Sequence, residues 1–236
     1  MDSEKEIFNK YLDELGLESF IQTLSPFLTD SRKSKISVVL DQRLDGIRLA
    51  IESPVDIHNV FAAVRSTEAL GVMNVDLIKY QKAKKLTSNA TTSGSHRWVS
   101  LNSFPTFPDY QQAMREKGYL IVGASHTGEL TLSELPLDQN IALMFGNEHS
   151  GLEPNTLKNC DLTFQIPMYG MVESYNLSVS CALALHYYSH KKRQAIKSLG
   201  NLTKERKEIE KAWYYFKSLG TVETEMILRK SLINLS

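Results

Sequence analysis

Three segments of the chain combine residue types that could bind a ligand or take part in a reaction. They span residues 59–67, 146–152 and 166–178, and they carry side-chain amides, hydroxyls, carboxylates and glycines. The third segment follows an apolar run ending at Ile166 and precedes an amphipathic run that Asn176 could cap as a helix. In open α/β sheets such loops lie at the carboxyl ends of strands, where free backbone amides and carbonyls bind ligands. A capped turn without any ligand explains the third segment equally well.

The sequence lacks the motifs of several common kinds of site. It contains no G-x-G-x-x-G dinucleotide motif and no G-x-x-x-x-G-K-[ST] phosphate-binding loop. No serine stands in a G-x-S-x-G elbow, no pair of carboxylates is distinguished by its context, and the six histidines show no metal-ligand spacing. Cys160 and Cys181 stand in apolar runs, which indicates a reducing compartment rather than a disulfide framework or metal cluster. Residue types and spacing therefore indicate a ligand-binding domain without identifying the ligand.

The order of the apolar runs predicts an α/β fold. Five runs have the length and composition of strands: residues 46–52, 75–78, 119–124, 141–145 and 160–166. Helical patterns lie between and after them: residues 60–71, which Asn59 would cap and Gly71 would end, residues 109–117, and the run after Asn176. This alternation predicts a mostly parallel sheet covered by helices on both faces.

The two ends of the chain are predicted to be helical extensions of a central domain. We expect an N-terminal extension over residues 1–45, the central domain over 46–192 and a C-terminal extension over 193–236. The ends differ in charge although the formal net charge of the chain is zero. Residues 1–30 carry seven acidic and two basic side chains, and residues 190–236 carry eleven basic and five acidic ones. Such clusters are usually solvated surface, and a polyanionic partner is the alternative.

The sequence predicts neither a membrane-spanning helix nor a secretory signal. No apolar run approaches the roughly 18 residues that a membrane-spanning helix needs. The first residues, MDSEKE, are acidic and lack the apolar core of a secretory signal. We therefore expect a cytoplasmic protein without a membrane segment.

Together, the three segments resemble the signature motifs of the SpoU/TrmH family of SPOUT RNA 2′-O-ribose methyltransferases. The first motif consists of Asn59, then Arg65 with the two residues after it, and Gly71. The second, residues 144–152, reads MFGNEHSGL, and the third, residues 166–179, reads IPMYGMVESYNLSV. Each motif alone is weakly specific, whereas all three in this order are highly specific. The best fit within the family is the subgroup that methylates guanosine 18 of tRNA, which also has short helical additions at both ends.

The resemblance implies a fold, a cofactor and partners that the residue patterns alone do not give. It implies a homodimer with a deep trefoil knot in the C-terminal half of each chain, and S-adenosylmethionine as the cofactor. By similarity, the cofactor contacts are Ser125, Gly146, Ile166 and Tyr175. At two positions, Tyr175 and Leu177, the family usually has Leu and Val, so this wall of the pocket is expected to differ in shape.

The implied reaction is methyl transfer to a ribose 2′-hydroxyl of RNA, with tRNA as the expected partner. By similarity, five residues carry the catalysis: Arg65, Asn59, Glu148, Ser174 and Asn176. The C-terminal extension is expected to bind the RNA. A surface ion pair with Glu68 is the ordinary explanation of Arg65. Methylation of ribosomal RNA, or a catalytically silent RNA-binding dimer of the same fold, are the alternatives.

Overall fold

The fold is built on a parallel β-sheet. The computed structural model describes residues 2–80 and 94–235. In these residues seven strands pair in the order β3–β2–β1–β6–β4–β7–β5, and every described pair is parallel. The strands are β1 (Leu44–Glu52), β2 (Val72–Ile78), β3 (Ser100–Phe104), β4 (Tyr119–Ala124), β5 (Leu130–Thr131), β6 (Asn140–Phe145) and β7 (Leu162–Gln165). The predicted α/β class with a parallel sheet is confirmed.

Helices surround this sheet and form the two ends of the chain. The described helices are α1 (Asp2–Leu15), α2 (Leu17–Leu24), α3 (Asp30–Asp41), α4 (Ile57–Ala69), α5 (Phe107–Glu116), α6 (Pro154–Lys158), α7 (Leu177–Ile196), α8 (Lys204–Leu219) and α9 (Thr221–Leu235). Within residues 2–80 and 94–235, no helix is both long and apolar enough to cross a membrane.

Alternate residues of the strands pack into two separate cores. Leu49 and Ile51 of β1 join the core that includes α4 and α7, whereas Ala50 joins the core that includes α5. This division follows from the pleat, which points successive side chains to opposite faces of a strand. Helices therefore cover both faces of the sheet, as the sequence predicts.

The chain divides into two compact units. The sheet unit spans Leu44–Leu199, and the helical unit contains both chain ends, up to Arg43 and from Gly200 onward. In the helical unit, Phe8 packs edge-on against Phe20 and Phe216 with ring centroids 5.3 and 5.8 Å apart. The helices of the two chain ends thus share one core.

The start of α4 differs from the prediction, and the difference matters for the site. Asp56, not Asn59, is the N-cap residue, because its carboxylate accepts a hydrogen bond from the backbone nitrogen of His58 at 2.8 Å. The prediction that Asn59 caps this helix is therefore wrong. Asn59 lies inside the first turn, where its side-chain amide is available for other contacts.

Candidate active site

A cavity of about 660 Å³ opens at the carboxyl ends of β4, β6 and β7. From β1, the strands β2 and β3 are added on one side of the sheet, and β6, β4 and β7 lie on the other side. The cavity lies next to this change of direction, which is where open α/β sheets bind ligands. Six of the nine predicted site residues line it: Ser125, Gly146, Glu148, Ile166, Ser174 and Tyr175. All four predicted cofactor contacts therefore face one cavity. The polar lining residues that the sequence analysis does not name as site residues include His126, Asn147, His149 and Glu173.

The second motif forms a tight loop at the end of β6. Asn147 and Gly151 exchange two backbone hydrogen bonds of 3.0 Å, and the side-chain oxygen of Asn147 accepts from the backbone nitrogens of His149 and Ser150 at 2.8 and 3.0 Å. A side chain at Gly146 would place its Cβ 1.9 Å from the carbonyl carbon of Gly151. Only glycine permits this close approach of the two backbones.

The third motif connects β7 to α7 along the opposite wall. Asn176 caps α7, since its side-chain oxygen accepts from the backbone nitrogens of Ser178 at 2.9 Å and Val179 at 3.4 Å. The predicted helix cap is confirmed. Tyr169 and Met171 are almost fully exposed on the loop that precedes this cap. The loop therefore presents apolar side chains to its surroundings.

A chain of hydrogen bonds joins all three motifs at the rim of the cavity. The side-chain amide of Asn176 donates to the amide oxygen of Asn59, and that of Asn59 donates to the carboxylate of Glu148, each at 3.0 Å. Glu148 also accepts from the backbone nitrogens of Val55 at 3.0 Å and Asp56 at 3.2 Å. The loop after β6, the start of α4 and the start of α7 are thereby held in one arrangement.

These hydrogen bonds keep Glu148 ionised. Burial acts to raise the pKa of its carboxyl, but hydrogen bonds from Asn59 and from backbone amides outweigh that effect and lower the pKa below its usual 4.5. The negative charge at the rim is therefore stable at neutral pH. A carboxylate that accepts several hydrogen bonds is suited to fixing its neighbours rather than to donating a proton.

Arg65 stands apart from this network. It lies on an exposed face of α4 and does not line the cavity of its own chain. In the described part of the chain, its guanidinium makes no hydrogen bond or ion pair, including with Glu68. The structure therefore brings together Asn59, Glu148 and Asn176, places Ser174 at the cavity, and leaves Arg65 outside it.

Both cysteines are poor candidates for a thiolate nucleophile. Burial raises the pKa of the Cys160 thiol to about 12, and it also raises that of Cys181. Both are free cysteines, with Cys181 in the core between the sheet and α7. The structure therefore gives no support for a catalytic thiol at this site.

The sequence profile of the SpoU rRNA Methylase family matches residues 46–186, which include all three motifs and every predicted site residue. The chain belongs to this family. The recognition made from the three motifs is therefore confirmed.

Three SpoU-family relatives illustrate the similarity. A tRNA (guanosine(18)-2′-O)-methyltransferase of Borreliella burgdorferi is 33% identical, over 70% of this chain and 76% of the relative. A 23S rRNA (guanosine-2′-O-)-methyltransferase, RlmB, of Neisseria meningitidis is 32% identical, over 63% of this chain and 58% of the relative. The crystal structure of the A. aeolicus TrmH/SpoU tRNA modifying enzyme superposes with a TM-score of 0.63 at 25% identity, covering 87% of this chain and 96% of that one.

The cavity fits the cofactor expected of a SpoU-family enzyme. Its volume lies within the range of roughly 300–1,000 Å³ that small-molecule sites occupy. Phe145, Leu152 and Ile166 supply apolar surface for a flat ring, and the glycines of the second motif bring backbone amides and carbonyls to the wall. Glu148 and Glu173 line the same space, where negative charge would favour a cation. An adenine joined to a sulfonium has this chemistry.

Proposed function

We propose that the protein is an S-adenosylmethionine-dependent RNA 2′-O-methyltransferase that acts on tRNA at guanosine 18. The observation that carries this proposal is the hydrogen-bonded chain Asn176–Asn59–Glu148 beside the cavity. These hydrogen bonds bring three motifs that are distant in the sequence together at one site. Membership of the SpoU family indicates the class of reaction, RNA methylation. When bound, S-adenosylmethionine supplies a methyl group already activated by its sulfonium. The residues of the chain therefore have to orient the ribose oxygen and help it to lose its proton.

Arg65 has the central catalytic role in this proposal. An arginine side chain normally carries a positive charge at neutral pH. As a cation it holds a phosphate of the RNA and stabilises negative charge that develops on the 2′-oxygen. Its exposure and its lack of a partner in the described part of the chain leave the guanidinium available for RNA.

The other four predicted catalytic residues act at the rim. Ser174 lines the cavity, where its hydroxyl can donate to or accept from the ribose hydroxyl. Glu148, Asn59 and Asn176 set the position of α4 and α7 relative to the 146–152 loop, which we call the cofactor loop. This division leaves Arg65 to stabilise charge, Ser174 to contact the ribose hydroxyl, and three groups to hold the geometry.

We further propose that the active form is a homodimer. Arg65 is absent from the cavity of its own chain, so a second copy can supply it. Apolar surface next to the site supports this association, since Val179 and Leu183 of α7 are 44% and 41% exposed and Met171 is fully exposed. Light scattering should give twice the chain mass of 26.7 kDa. A monomer in an active preparation would contradict the dimer.

A deep trefoil knot is the proposed topology of the C-terminal half. The loop after β4 passes directly against β7, because a Cβ at Gly128 would lie 2.2 Å from the carbonyl carbon of Phe164. Tyr188 and Lys192 of α7 both donate hydrogen bonds to the loop between β5 and β6, at the carbonyls of Pro136 and Leu137. Stretching the chain by its ends in a single-molecule experiment should leave it shorter than its full contour length. Full extension would exclude a knot.

The choice of tRNA over ribosomal RNA rests on the length of the match. The chain aligns with 76% of the tRNA-modifying relative from Borreliella burgdorferi but with 58% of the ribosomal RNA enzyme. In this proposal the C-terminal helices bind the tRNA, and the basic side chains of α8 and α9 supply contacts to its phosphates.

Nucleoside mass spectrometry tests the reaction and the substrate together. tRNA and ribosomal RNA from cells with and without the protein are digested, and each 2′-O-methylated nucleoside is located in sequence by fragment mapping. Loss of 2′-O-methylguanosine at position 18 of tRNA is the expected result. Loss of a ribosomal site would identify the other substrate, and no change in either RNA would indicate a silent RNA-binding protein.

A further inference from the structure

A buried carboxylate stands behind the cofactor loop, outside the cavity. Glu52 is the last residue of β1, and its side chain is 1% exposed. One carboxylate oxygen accepts from the hydroxyl of Thr156 at 2.7 Å, and the other accepts from the backbone nitrogen of Glu153 at 3.1 Å. The ammonium of Lys79 lies 3.3 Å from the first oxygen. Glu52 thus has a partner for each oxygen and a neutralising charge.

Lys79 completes this cluster from the end of β2. Its ammonium lies 2.5 Å from the carboxylate of Glu153 as well as 3.3 Å from that of Glu52. The Lys79 backbone has φ 55°, in the left-handed region that a residue with a side chain rarely adopts. Strained backbone of this kind is maintained only where the surrounding contacts require it. We call Glu52, Lys79, Glu153 and Thr156 the Glu52 clamp.

The position of the clamp relates it to cofactor binding. The loop between Phe145 and Pro154 supplies one wall of the cavity, and none of the four clamp residues lines that cavity. The loop is fixed near its beginning, where Glu148 accepts from the backbone of Val55 and Asp56, and at its end, where Glu52 accepts from Glu153 and Thr156. At one point, a carboxylate of the cofactor loop, Glu148, therefore binds the segment between β1 and α4. At the other, a carboxylate of β1, Glu52, binds the residues at the end of the loop.

We infer that Glu52 is a positioning residue for the cofactor, acting through the clamp on the shape of the 146–152 loop. This inference rests on the proposed binding of S-adenosylmethionine in the cavity. The clamp fixes the backbone amides and carbonyls of the loop before the cofactor arrives, so that binding does not have to order them. Without the clamp, the protein remains folded but has to order this loop on binding.

Three substitutions remove different parts of the clamp. Glu52→Gln removes the charge and turns one acceptor into a donor, Thr156→Val removes one hydroxyl at nearly constant volume, and Lys79→Asn removes the ammonium with a residue that tolerates left-handed backbone. Matched controls exist in the chain. Thr224→Val removes another buried hydroxyl, in α9, and Lys197→Asn changes another lysine with left-handed backbone.

Calorimetry measures the Kd for S-adenosylmethionine of each variant at a temperature where its circular dichroism shows it fully folded. The clamp variants should bind at least about tenfold more weakly, which is the effect of losing about 1.4 kcal/mol. Thr156→Ser should restore affinity, and the two controls should match the wild type. The KM for RNA should change little, since the clamp acts on the cofactor side.

The outcomes separate this inference from the proposed function. If the wild type binds no S-adenosylmethionine, the proposed function itself fails. If the wild type binds and the folded Thr156→Val and Lys79→Asn variants bind equally well, the clamp is only structural and the inference is overturned. These two variants decide the result even if Glu52→Gln does not fold, because each leaves the buried carboxylate in place.

Discussion

The side-chain nitrogen of Asn176 lies 3.0 Å from the side-chain oxygen of Asn59, and this hydrogen bond links the first turns of α7 and α4. Asn176 also caps α7 through its own side-chain oxygen. One amide group therefore has two separate roles, one in helix stability and one in the geometry of the site. Substitutions can separate these roles because they use different atoms.

Asn176→Asp should keep the helix cap and break the link to Asn59. A carboxylate still accepts from the backbone of Ser178 and is favoured at a helix N-terminus. It cannot donate to Asn59, and it brings two acceptor oxygens together. We expect an unfolding midpoint close to that of the wild type and a single-turnover methylation rate lower by about tenfold, as for one lost hydrogen bond of about 1.4 kcal/mol.

Asn176→Ala provides the comparison, because it removes both roles and should destabilise the protein by about 1 kcal/mol. Thermal unfolding and single-turnover methylation are measured on both variants. An Asn176→Asp enzyme as fast as the wild type would show that the link between α7 and α4 has no part in catalysis.

The cofactor loop should not accept a side chain at its first glycine. Gly146→Ala would push a Cβ to 1.9 Å from Gly151, so the backbone of the loop must move. Gly170→Ala is the control, because a Cβ there meets nothing within 4 Å. By calorimetry, we expect Gly146→Ala to lose at least about tenfold in affinity for S-adenosylmethionine and Gly170→Ala to lose none. If both variants bound S-adenosylmethionine with equal affinity, the 146–152 loop would not be part of the cofactor site.

Because of Glu148, the free energy of unfolding of the protein should decrease as the pH falls into the acid range. Its pKa lies below the usual 4.5 in the folded protein, so the unfolded chain binds the proton first as pH falls. The stabilisation from Glu148 is therefore complete above the unfolded pKa and is lost as pH falls through the lower, folded pKa. Glu148→Gln lacks this contribution, so its deficit in unfolding midpoint should be largest near neutral pH and shrink below pH 4.5.

Differential scanning calorimetry over a pH series from about 7 to 3.5 measures this effect. Glu129→Gln is the control, because the Glu129 side chain is exposed and makes no ion pair or hydrogen bond within the described residues. A difference between wild type and Glu148→Gln that stays constant across the series would mean that the hydrogen bonds do not shift the pKa of Glu148.

In the helical unit, some basic side chains of the C-terminal end form ion pairs with acidic side chains of the N-terminal end. Lys207 and Lys217 of α8 form ion pairs of 2.7 and 2.8 Å with Asp41 and Glu4 from the N-terminal helices. The acidic and basic ends of the chain thus partly neutralise each other. RNA contacts are then expected from lysines for which the described residues show neither an ion pair nor a ring contact, such as Lys35, Lys204 and Lys230.

Replacing Lys35, Lys204 and Lys230 together by Gln should make tRNA binding less dependent on salt. Each lost phosphate contact lowers the slope of log K against log salt by roughly 0.7–0.9. Filter binding across a salt series measures this slope. Gln at Lys117, Lys158 and Lys197 of the sheet unit changes the net charge equally and is the control. An equal slope change in both triple variants would mean that the helical unit contributes no specific contacts.

The strands that the sequence predicts are those with strong apolar patterns. β4 has the predicted bounds because its residues are apolar over their whole length. β3, with the sequence SLNSF, was missed because it is short and mixed in polarity, and β5 has only two residues. Both are edge strands of the sheet, where packing and pairing place a segment whose own sequence does not specify a strand.

The meeting of the motifs at one cavity was predicted from the sequence, whereas the contacts that support this cavity were not. Ser125, Gly146, Ile166 and Tyr175 meet at one cavity as the resemblance implied. The contacts of Glu52, by contrast, join residues 101 and 104 positions apart. Periodicity describes single elements, so it cannot show which distant hydroxyl or amide will meet a buried carboxylate.

Arg65 is the residue on which the proposed mechanism depends. Arg65→Ala should leave fold, dimer and cofactor affinity nearly unchanged, because the side chain lies on an exposed helix face. Arg65→Lys should retain the charge but lose the planar fork that can hold phosphate and ribose oxygens together. Arg115→Ala is the control, since Arg115 is also an exposed arginine on a helix, in the last turn of α5.

The single-turnover rate of methyl transfer to unmodified tRNA, with saturating enzyme and S-adenosylmethionine, tests the mechanism most directly. We expect Arg65→Ala to be slower by a factor on the order of 100 or more, the usual effect of losing one preorganised charge-stabilising group. Arg65→Lys should recover part of that rate, and Arg115→Ala should match the wild type. An Arg65→Ala enzyme that methylates tRNA at the wild-type rate would contradict the mechanism, and another group would have to activate the ribose hydroxyl.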